Sequence, residues 1–287
     1  MQRIKNQYFI LPLIGVFFAA FVFFLAGRKR LLEVHFIDVG YGDAIWIRTP
    51  ESSSILIDAG PQEYGPRLVS YLRSQGVQEI DHAVITHPHA NHFQGFDILL
   101  RNFPIKQFYI NGDPSAEEGY DELLAAIRNK GIPLRTVKEG DRICCSSSDF
   151  SMDILHPDRL SGDVNGNSLV CWVRYGESHF LFTADIGEQE QARLVSRYPL
   201  IRLAGCVQLP HHGRSRNKEF IKNFTDPILV ISTGESRWGA PRFAGLDRLP
   251  GTVFRTDLQG TIAVIADGRK MKVKRPAAAR KDDQPKK

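Results

Sequence analysis

Val84-Ile85-Thr86-His87-Pro88-His89-Ala90-Asn91-His92-Phe93-Gln94-Gly95 is the stretch whose reading decides the fold. The apolar run from Ile80 to Ile85 reads as a buried strand, and the chain leaves it through three histidines in six positions. Imidazole is the commonest protein ligand for a borderline metal such as zinc. Pro88 pushes His87 out of the helical region into an extended conformation. His87 and His89 then lie two residues apart and can converge on one ion. His92, on the first turn of the helix that follows, is placed for a second ion or a bound water. Three solvated loop histidines are the alternative, which suits one histidine better than three at this spacing behind a buried strand.

Upstream, Leu32 to Asp38 alternates as Leu, Val, Phe against Glu, His, Ile. The Gly40/Gly42 turn returns the chain into Ala44-Ile45-Trp46-Ile47, and Ser54 to Asp58 makes a third strand, an antiparallel start to a sheet. A helix from Pro66 to Gln75 stops at Gly76. Downstream come a helix near Phe96 to Asn102 and a strand at Gln107 to Ile110. A longer helix from Glu117 to Asn129 shows Leu123, Leu124 and Ile127 on one face and Gly131 as its stop. Strands follow at Leu134–Val137, Arg142–Cys145 and Phe150–Leu155. A hairpin around Gly176 (Leu169 to Tyr175, His179 to Thr183) runs into Asp185. A charged helix (Glu188 to Arg197) precedes the strand Cys206 to Leu209. A short helix (Asn217 to Phe224) and strands Ile228–Ser232, Thr252–Arg255 and Thr261–Ala266 close the pattern. Two sheets facing each other with helices outside satisfy both the apolar strand faces and the helix stripes.

The functional groups arrive at strand ends: Asp58, His87/His89/His92, Asp185 and His211/His212. Asp185 follows the apolar run Phe180-Leu181-Phe182, a costly position for a charge unless it is paired or on a metal. A helix-cap reading also fits, since Gly187 and Glu188 begin a helical pattern. His211 and His212 follow an apolar strand and precede Gly213. One is expected to ligate while the other packs or donates a hydrogen bond, and His211 is the favoured ligand.

The histidine stretch resembles the H-x-H-x-D-H signature of the metallo-β-lactamase fold, a superfamily of two-metal hydrolases. Other pieces resemble one branch, the soluble domain of the DNA-uptake competence protein ComEC. They are Asp38-Val39-Gly40-Tyr41-Gly42-Asp43-Ala44, Ile55-Leu56-Ile57-Asp58-Ala59-Gly60, Asn167-Ser168-Leu169-Val170, Phe182-Thr183-Ala184-Asp185-Ile186 and Leu209-Pro210-His211-His212-Gly213. They stand in the family's order and cover Leu31 to Ala266. The resemblance implies an α+β fold, the αββα sandwich. It implies one or two divalent metal ions, zinc or else manganese, on His87, His89, His92, Asp185 and His211. Asp185 would bridge the ions and, with His92 and Asn91, form the catalytic group. Asp58 falls where the family places buried support under the metal. Where the family has a third histidine, this chain has Asn167-Ser168; Asn167 could offer a carbonyl oxygen or be a turn residue after Gly166.

Two departures stand out. The aspartate of the signature is Asn91 here, so a neutral amide replaces a full charge, which predicts weak second-site occupancy, slower turnover or a single-metal enzyme. The branch usually continues Gly-Ser after the histidine pair, whereas Arg214 intervenes before Ser215. Arg214 and Arg216 could clamp a phosphate, and they are equally readable as ordinary surface arginines. The expected activity is phosphodiester hydrolysis by a nuclease related to DNA uptake. The alternatives are a degenerate module that binds nucleic acid or a channel partner, and an ester or lactone hydrolase.

The chain's 287 residues carry a net charge of +5 at 43% hydrophobic content. Residues 1–30 hold five basic residues and no acid, and residues 267–287 hold nine basic against three acidic, so the body 31–266 is net −6. The basic ends suit an anionic membrane surface at least as well as DNA. Tyr8 to Gly27 is twenty residues without a charge, enough to cross a bilayer. The domain reading is therefore an uncleaved anchor, favoured over a cleaved export signal, over 1–30, a catalytic domain over 31–266 and a basic strand with a disordered tail over 267–287. A single-pass protein with its domain outside the cytoplasm is expected, with membrane, DNA and a membrane channel as partners; the sequence does not fix the oligomeric state. Cys144, Cys145, Cys171 and Cys206 form no C-x-x-C pair, which excludes a zinc ribbon.

Overall fold

Three strands joined by tight turns come first: β1 (Leu32–Phe36), β2 (Ile45–Arg48) and β3 (Ser54–Ile57), paired antiparallel. The computed structural model describes residues 31–114, 117–144, 149–235 and 245–274. The expected anchor over 1–30, Cys145 and the tail from Pro276 lie outside the described residues. Among the described residues no helix is long and apolar enough to cross a membrane.

Helix α1 (Gly65–Ser74) crosses to β4 (His82–Ile85), and the short helical turns α2 (Ala90–Phe93) and α3 (Gly95–Asn102) lead to β5 (Phe108–Ile110). Helix α4 (Tyr120–Asn129) and β6 (Leu134–Thr136) complete the crossovers, so that β3 to β6 run parallel. A second sheet then forms from β7 (Arg142–Cys144), β8 (Phe150–His156), β9 (Val170–Tyr175) and β10 (Ser178–Phe182). After α5 (Glu188–Arg197) come β11 (Cys206–Gln208), α6 (Lys218–Lys222), β12 (Ile228–Ile231) and β13 (Thr252–Arg255). Finally α7 (Thr256–Gln259) returns the chain to the first sheet, where β14 (Ile262–Ala266) pairs with β1 and β15 (Met271–Lys274) forms the edge.

The sheets read β15-β14-β1-β2-β3-β4-β5-β6 and β13-β12-β11-β10-β9-β8-β7. One apolar cluster, including Phe36, Ile45, Phe180 and Phe182, fills the space between them. A second (Leu68, Phe96, Leu123 and Ile127 among others) seats α1, α3 and α4 on the outer face of the first sheet. A third, with Leu194 and Phe220, seats α5 and α6 on the second sheet. The layers are thus the expected α+β sandwich. Phe36 on β1 meets Phe182 on β10 across the middle, with ring centroids 6.0 Å apart. Truncating such a ring to Ala costs about 3–5 kcal/mol.

The four segments that matter most leave their strands at one edge. β3 ends at Asp58, β4 at Thr86-His87, β10 at Thr183-Ala184-Asp185 and β11 just before Leu209 to His212. Backbone hydrogen bonds sew these turns together: Asp58 N–H to Val84 O at 2.8 Å, Leu169 N–H to Thr86 O at 3.0 Å, and His211 N–H to Ala184 O at 2.9 Å. Asp58, Ala184, His211 and His212 all sit at φ near +50°. Non-glycine residues adopt that region at a cost, which the surrounding packing sustains here.

Candidate metal centre

His87 leaves β4 fully buried. The Thr86 hydroxyl donates to Asp58 Oδ2 at 2.7 Å, so its lone pairs face His87 Nδ1 at 3.1 Å. Nδ1–H of His87 donates to that oxygen, which leaves the Nε2 lone pair aimed inward. His89 follows in extended backbone, and its Nδ1 comes within 2.9 Å of His87 Nε2. Two nitrogens bound at about 2.0–2.1 Å to one tetrahedral ion lie about 3.3 Å apart, so this pair is close to ligating separation. The outer nitrogen of His89 faces Glu117, 3.9 Å from Oε1, while Oε2 of the same glutamate accepts from Ala90 N–H.

His92 is fixed by the same logic. Its Nδ1–H donates to Asp58 Oδ2 at 2.8 Å, leaving Nε2 with its lone pair facing Asp185 Oδ2 at 3.4 Å. His212 donates Nδ1–H to the Ser232 carbonyl at 2.9 Å, and its Nε2 lies 3.5 Å from the same Asp185 oxygen. Holding the outer nitrogen of a histidine on an acceptor is how metal ligands have their tautomer and ring direction set. Three rings from two distant parts of the chain share that device.

Asp185 Oδ2 is the common centre, 3.9 Å from His87 Nε2 and within 3.5 Å of the inner nitrogens of His92 and His212. Asp185 is 2% exposed, and its Oδ1, like His92 Nε2, is buried without a hydrogen-bond partner. Buried polar atoms are normally paired. Inward lone pairs and an orphaned carboxylate oxygen around one small space are the donor set of a divalent cation. Burial alone would push Asp185 up, but His212, His92 and His87 hold it well below the usual carboxylate range. Burial likewise opposes a charge on His92, yet Asp185 and Asp58 outweigh it and raise that imidazole well above its ordinary value. Burial, reinforced by His92, keeps His87 well below its ordinary value. With no cation the carboxylates thus draw a proton to His92; a cation takes the place of that proton.

The sequence expectations fare unevenly. Asp58 is where it was placed, under the cluster, accepting from Thr86 N–H, Thr86 hydroxyl and His92. Of the histidine pair it is His212, not the favoured His211, whose ring is buried in the group. His211 lies at the rim, its side chain 30% exposed with Nε2 3.8 Å from Asp185 Oδ2. The left-handed backbone at both positions swings the second ring inward, a reversal no residue pattern announces. Asn167 does not offer an oxygen: its Oδ1 accepts from Ser161 N–H and hydroxyl, and its Nδ2 donates to Asp113 and the Ser161 carbonyl. It organises its own turn, and Ser168 is the residue that reaches His87 Nδ1, at 3.2 Å. Asn91 does face the cluster, with Nδ2 2.9 Å from His212 Nε2. Rotating that amide by about 180° presents Oδ1 instead. Arg214 is exposed and lies over the Tyr41 ring at 4.8 Å, and Tyr41 packs 4.5 Å from the His212 ring. Burial keeps the Tyr41 phenol protonated, pushed up to about 12. Arg216 is half-buried two residues further on.

Asp43 was missed. It is 1% exposed and lies among His92, His212 and Asp185, but its oxygens approach the outer nitrogens, 3.8 Å from Nδ1 of both histidines. Asp43, His92, Asp185 and His212 each bring a donor atom within 4.8 Å of the others, but Asp43 approaches the two rings from the side of their outer nitrogens. Gly42 lets this turn dock, since a Cβ there would land on the Asn91 carbonyl oxygen. The signal available was a single acid in a glycine turn ahead of a buried strand.

A family model described as "Metallo-beta-lactamase superfamily" matches residues 37–235. The chain is 28% identical over 254 residues to "ComE operon protein 3" of Bacillus subtilis (strain 168), covering 80% of this chain and 32% of that protein. It is 24% identical over 239 residues to "Competence protein ComA" of Neisseria gonorrhoeae, covering 78% and 31%. The chain thus spans about a third of the length of these curated relatives. Among solved structures it resembles "CmlA beta-hydroxylase E377D mutant" with a TM-score of 0.53 and 14% identity, covering 81% of this chain and 53% of that one. The likeness is one of fold, and a fold hosts more than one chemistry.

Proposed function

The chain belongs to the metallo-beta-lactamase superfamily, and from that premise we propose that it is a metal-dependent phosphodiester hydrolase acting on nucleic acid. The observation that carries the reading is the set of inward Nε2 atoms of His87, His92 and His212 around the orphaned carboxylate of Asp185. His87, His89 and Asp185 would hold one cation, and His92, His212 and Asp185, with Asn91 at the edge, a second. An imidazole-rich set with one shared carboxylate suits zinc. When bound, such ions supply Lewis acidity, lowering the pKa of water and offsetting charge that develops on phosphoryl oxygens.

The chain's own residues do the rest. Asp58 and Ser232 O keep His92 and His212 in the ligating tautomer. Asp185 stays ionised at the centre, where His212 and His92 favour its charge. Arg214, which lies over the ring of Tyr41 beside His212, would meet a phosphate entering at the rim. A role in DNA uptake at a membrane, with residues 1–30 as anchor, the domain on the outer face and a channel as partner, is supported by the competence-protein relative and the apolar amino-terminal run.

The full chain in detergent should bind zinc, cleave bis-p-nitrophenyl phosphate and degrade single- or double-stranded DNA, with activity lost to a chelator and regained with metal. Tight metal binding without cleavage of either substrate would instead favour a binding module, and turnover of esters or lactones alone would move the substrate class to carbonyl compounds.

A further inference from the structure

Asp43 meets the His92 and His212 rings on their outer side, and the fold builds it a dedicated holder. Gln208 accepts from Thr183 N–H and Ala184 N–H through Oε1, at 3.1 and 3.2 Å. Those two bonds fix the direction of its amide, and its NH2 then donates to Asp43 Oδ2 at 2.7 Å. Asp43 N–H donates in turn to the Asn91 carbonyl at 3.3 Å. One short network therefore ties Asp43 both to the turn that carries Asp185 and to the residue whose side chain is an amide. Asp43 Oδ1 is buried with no hydrogen-bond partner. An under-satisfied buried carboxylate is costly unless an opposite charge lies near, and its nearest candidates are the outer Nδ1 atoms of His92 and His212, each 3.8 Å away.

An imidazole that gives its Nε2 lone pair to a cation becomes positive at Nδ1–H. A carboxylate facing two such Nδ1 atoms favours the cation without touching it. At the second position the direct donors are His92, His212 and Asn91, all neutral, and Asp185 is the sole acid among them. We infer that Asp43 is the counter-charge that stands in for the carboxylate absent at Asn91. It is a positioning residue that strengthens cation binding through the His92 and His212 rings. The inference rests on the metal-dependent reading above.

The test uses the full chain, zinc and cobalt(II) as the probes, and metal content, calorimetric titration and cobalt absorption as the readouts. Asp43→Asn should weaken the second cation by about 10- to 100-fold, the range for partners behind a metal ligand. The first cation and the shape of the cobalt absorption should stay unchanged, because no direct donor is lost. Asn91→Asp in the Asp43→Asn background should restore second-site affinity, which a merely structural loss would not allow. Should Asp43→Asn fail to fold, Asp43→Ser, which leaves space for a water on Gln208, takes its place. A second cation bound as tightly in the variant as in wild type overturns the inference alone, as does a loss that Asn91→Asp leaves unrescued. A changed cobalt absorption overturns it in favour of Asp43 as a direct ligand. Absence of any cation on wild type overturns the metal reading, and this inference with it.

Discussion

His87 and His89 hold their end of the cluster with hydroxyl groups and a partly open ring, whereas His92 and His212 hold theirs with a carboxylate, a carbonyl and complete burial. Thr86 and Ser168 hydroxyls back His87, and the His89 side chain is 26% exposed. Asp58 backs His92, Ser232 O backs His212, and both rings are fully buried. The difference teaches where direction comes from. The first end is partly exposed at His89, with His87 aimed by hydroxyl groups, and the second is wholly buried, with His92 aimed by a carboxylate and His212 by a backbone carbonyl.

Removing what the ends share should have the largest effect. Asp185→Asn takes the one oxygen central to both, and it should lower metal content to near zero by elemental analysis. Phosphodiesterase turnover should fall by at least about 100-fold, beyond the loss typical of an outer-shell change. Retention of both ions would break the idea of a common centre. Next comes a change that bears on one end more than the other. Asp58→Asn frees the His92 ring and should cost about 10- to 100-fold in second-cation affinity, with a smaller loss for the first cation, whose His87 it reaches only through Thr86.

Acidity separates the ends by another route. In chelated protein, His92 is raised by Asp185 and Asp58, so its contribution to stability is full below the ordinary imidazole value and is lost as pH rises through its own. His87, lowered by burial, does the reverse and costs stability only below that ordinary value. The Tm of chelated protein should therefore fall as pH rises above the ordinary imidazole range, where His92 titrates alone of the two. With zinc present the Tm should rise over the same range, because metal competes with protons for the same nitrogens. A chelated Tm flat across that range would mean that the pairing at the second end is neutral. The smallest expected effect is at the rim. Arg214→Ala should raise KM for a phosphodiester about twofold to fivefold and leave kcat nearly unchanged, since an ion pair at an exposed arginine is worth at most about 1 kcal/mol. A fall in kcat instead would bring Arg214 into the chemistry.

Most strands and helices were readable because apolar runs, alternation and glycine stops are local signals. Ile80 to Ile85 and Phe180 to Phe182 read as buried segments, and Ile80, Ala83 to Ile85 and Phe180 to Phe182 are buried while Asp81 and His82 are half-buried. The site was readable as residue types at strand ends, and less so as directions. The inward ring of the His211-His212 pair depends on two left-handed φ values that any pair of histidines would conceal. Asn167 looked able to ligate because its competitor for that oxygen, Ser161, lies six residues upstream in a turn with no periodicity. Asp43 stood inside a stretch singled out for resemblance, but its role depends on Gln208, 165 residues away in sequence. Contacts of that range are set by the closing of the sandwich, which no local pattern records.

The donors come from both sheets: His87, His89 and His92 follow β4 of one, and Asp185 and His212 follow β10 and β11 of the other. A cation there would act as a rivet between two layers otherwise held by apolar packing and a few sewn turns. Its loss should leave helix and strand content intact while amide protons of β4 and β10 near the riveted edge exchange faster. The metal would then be part of what keeps the layers in register, as well as part of the chemistry at their edge.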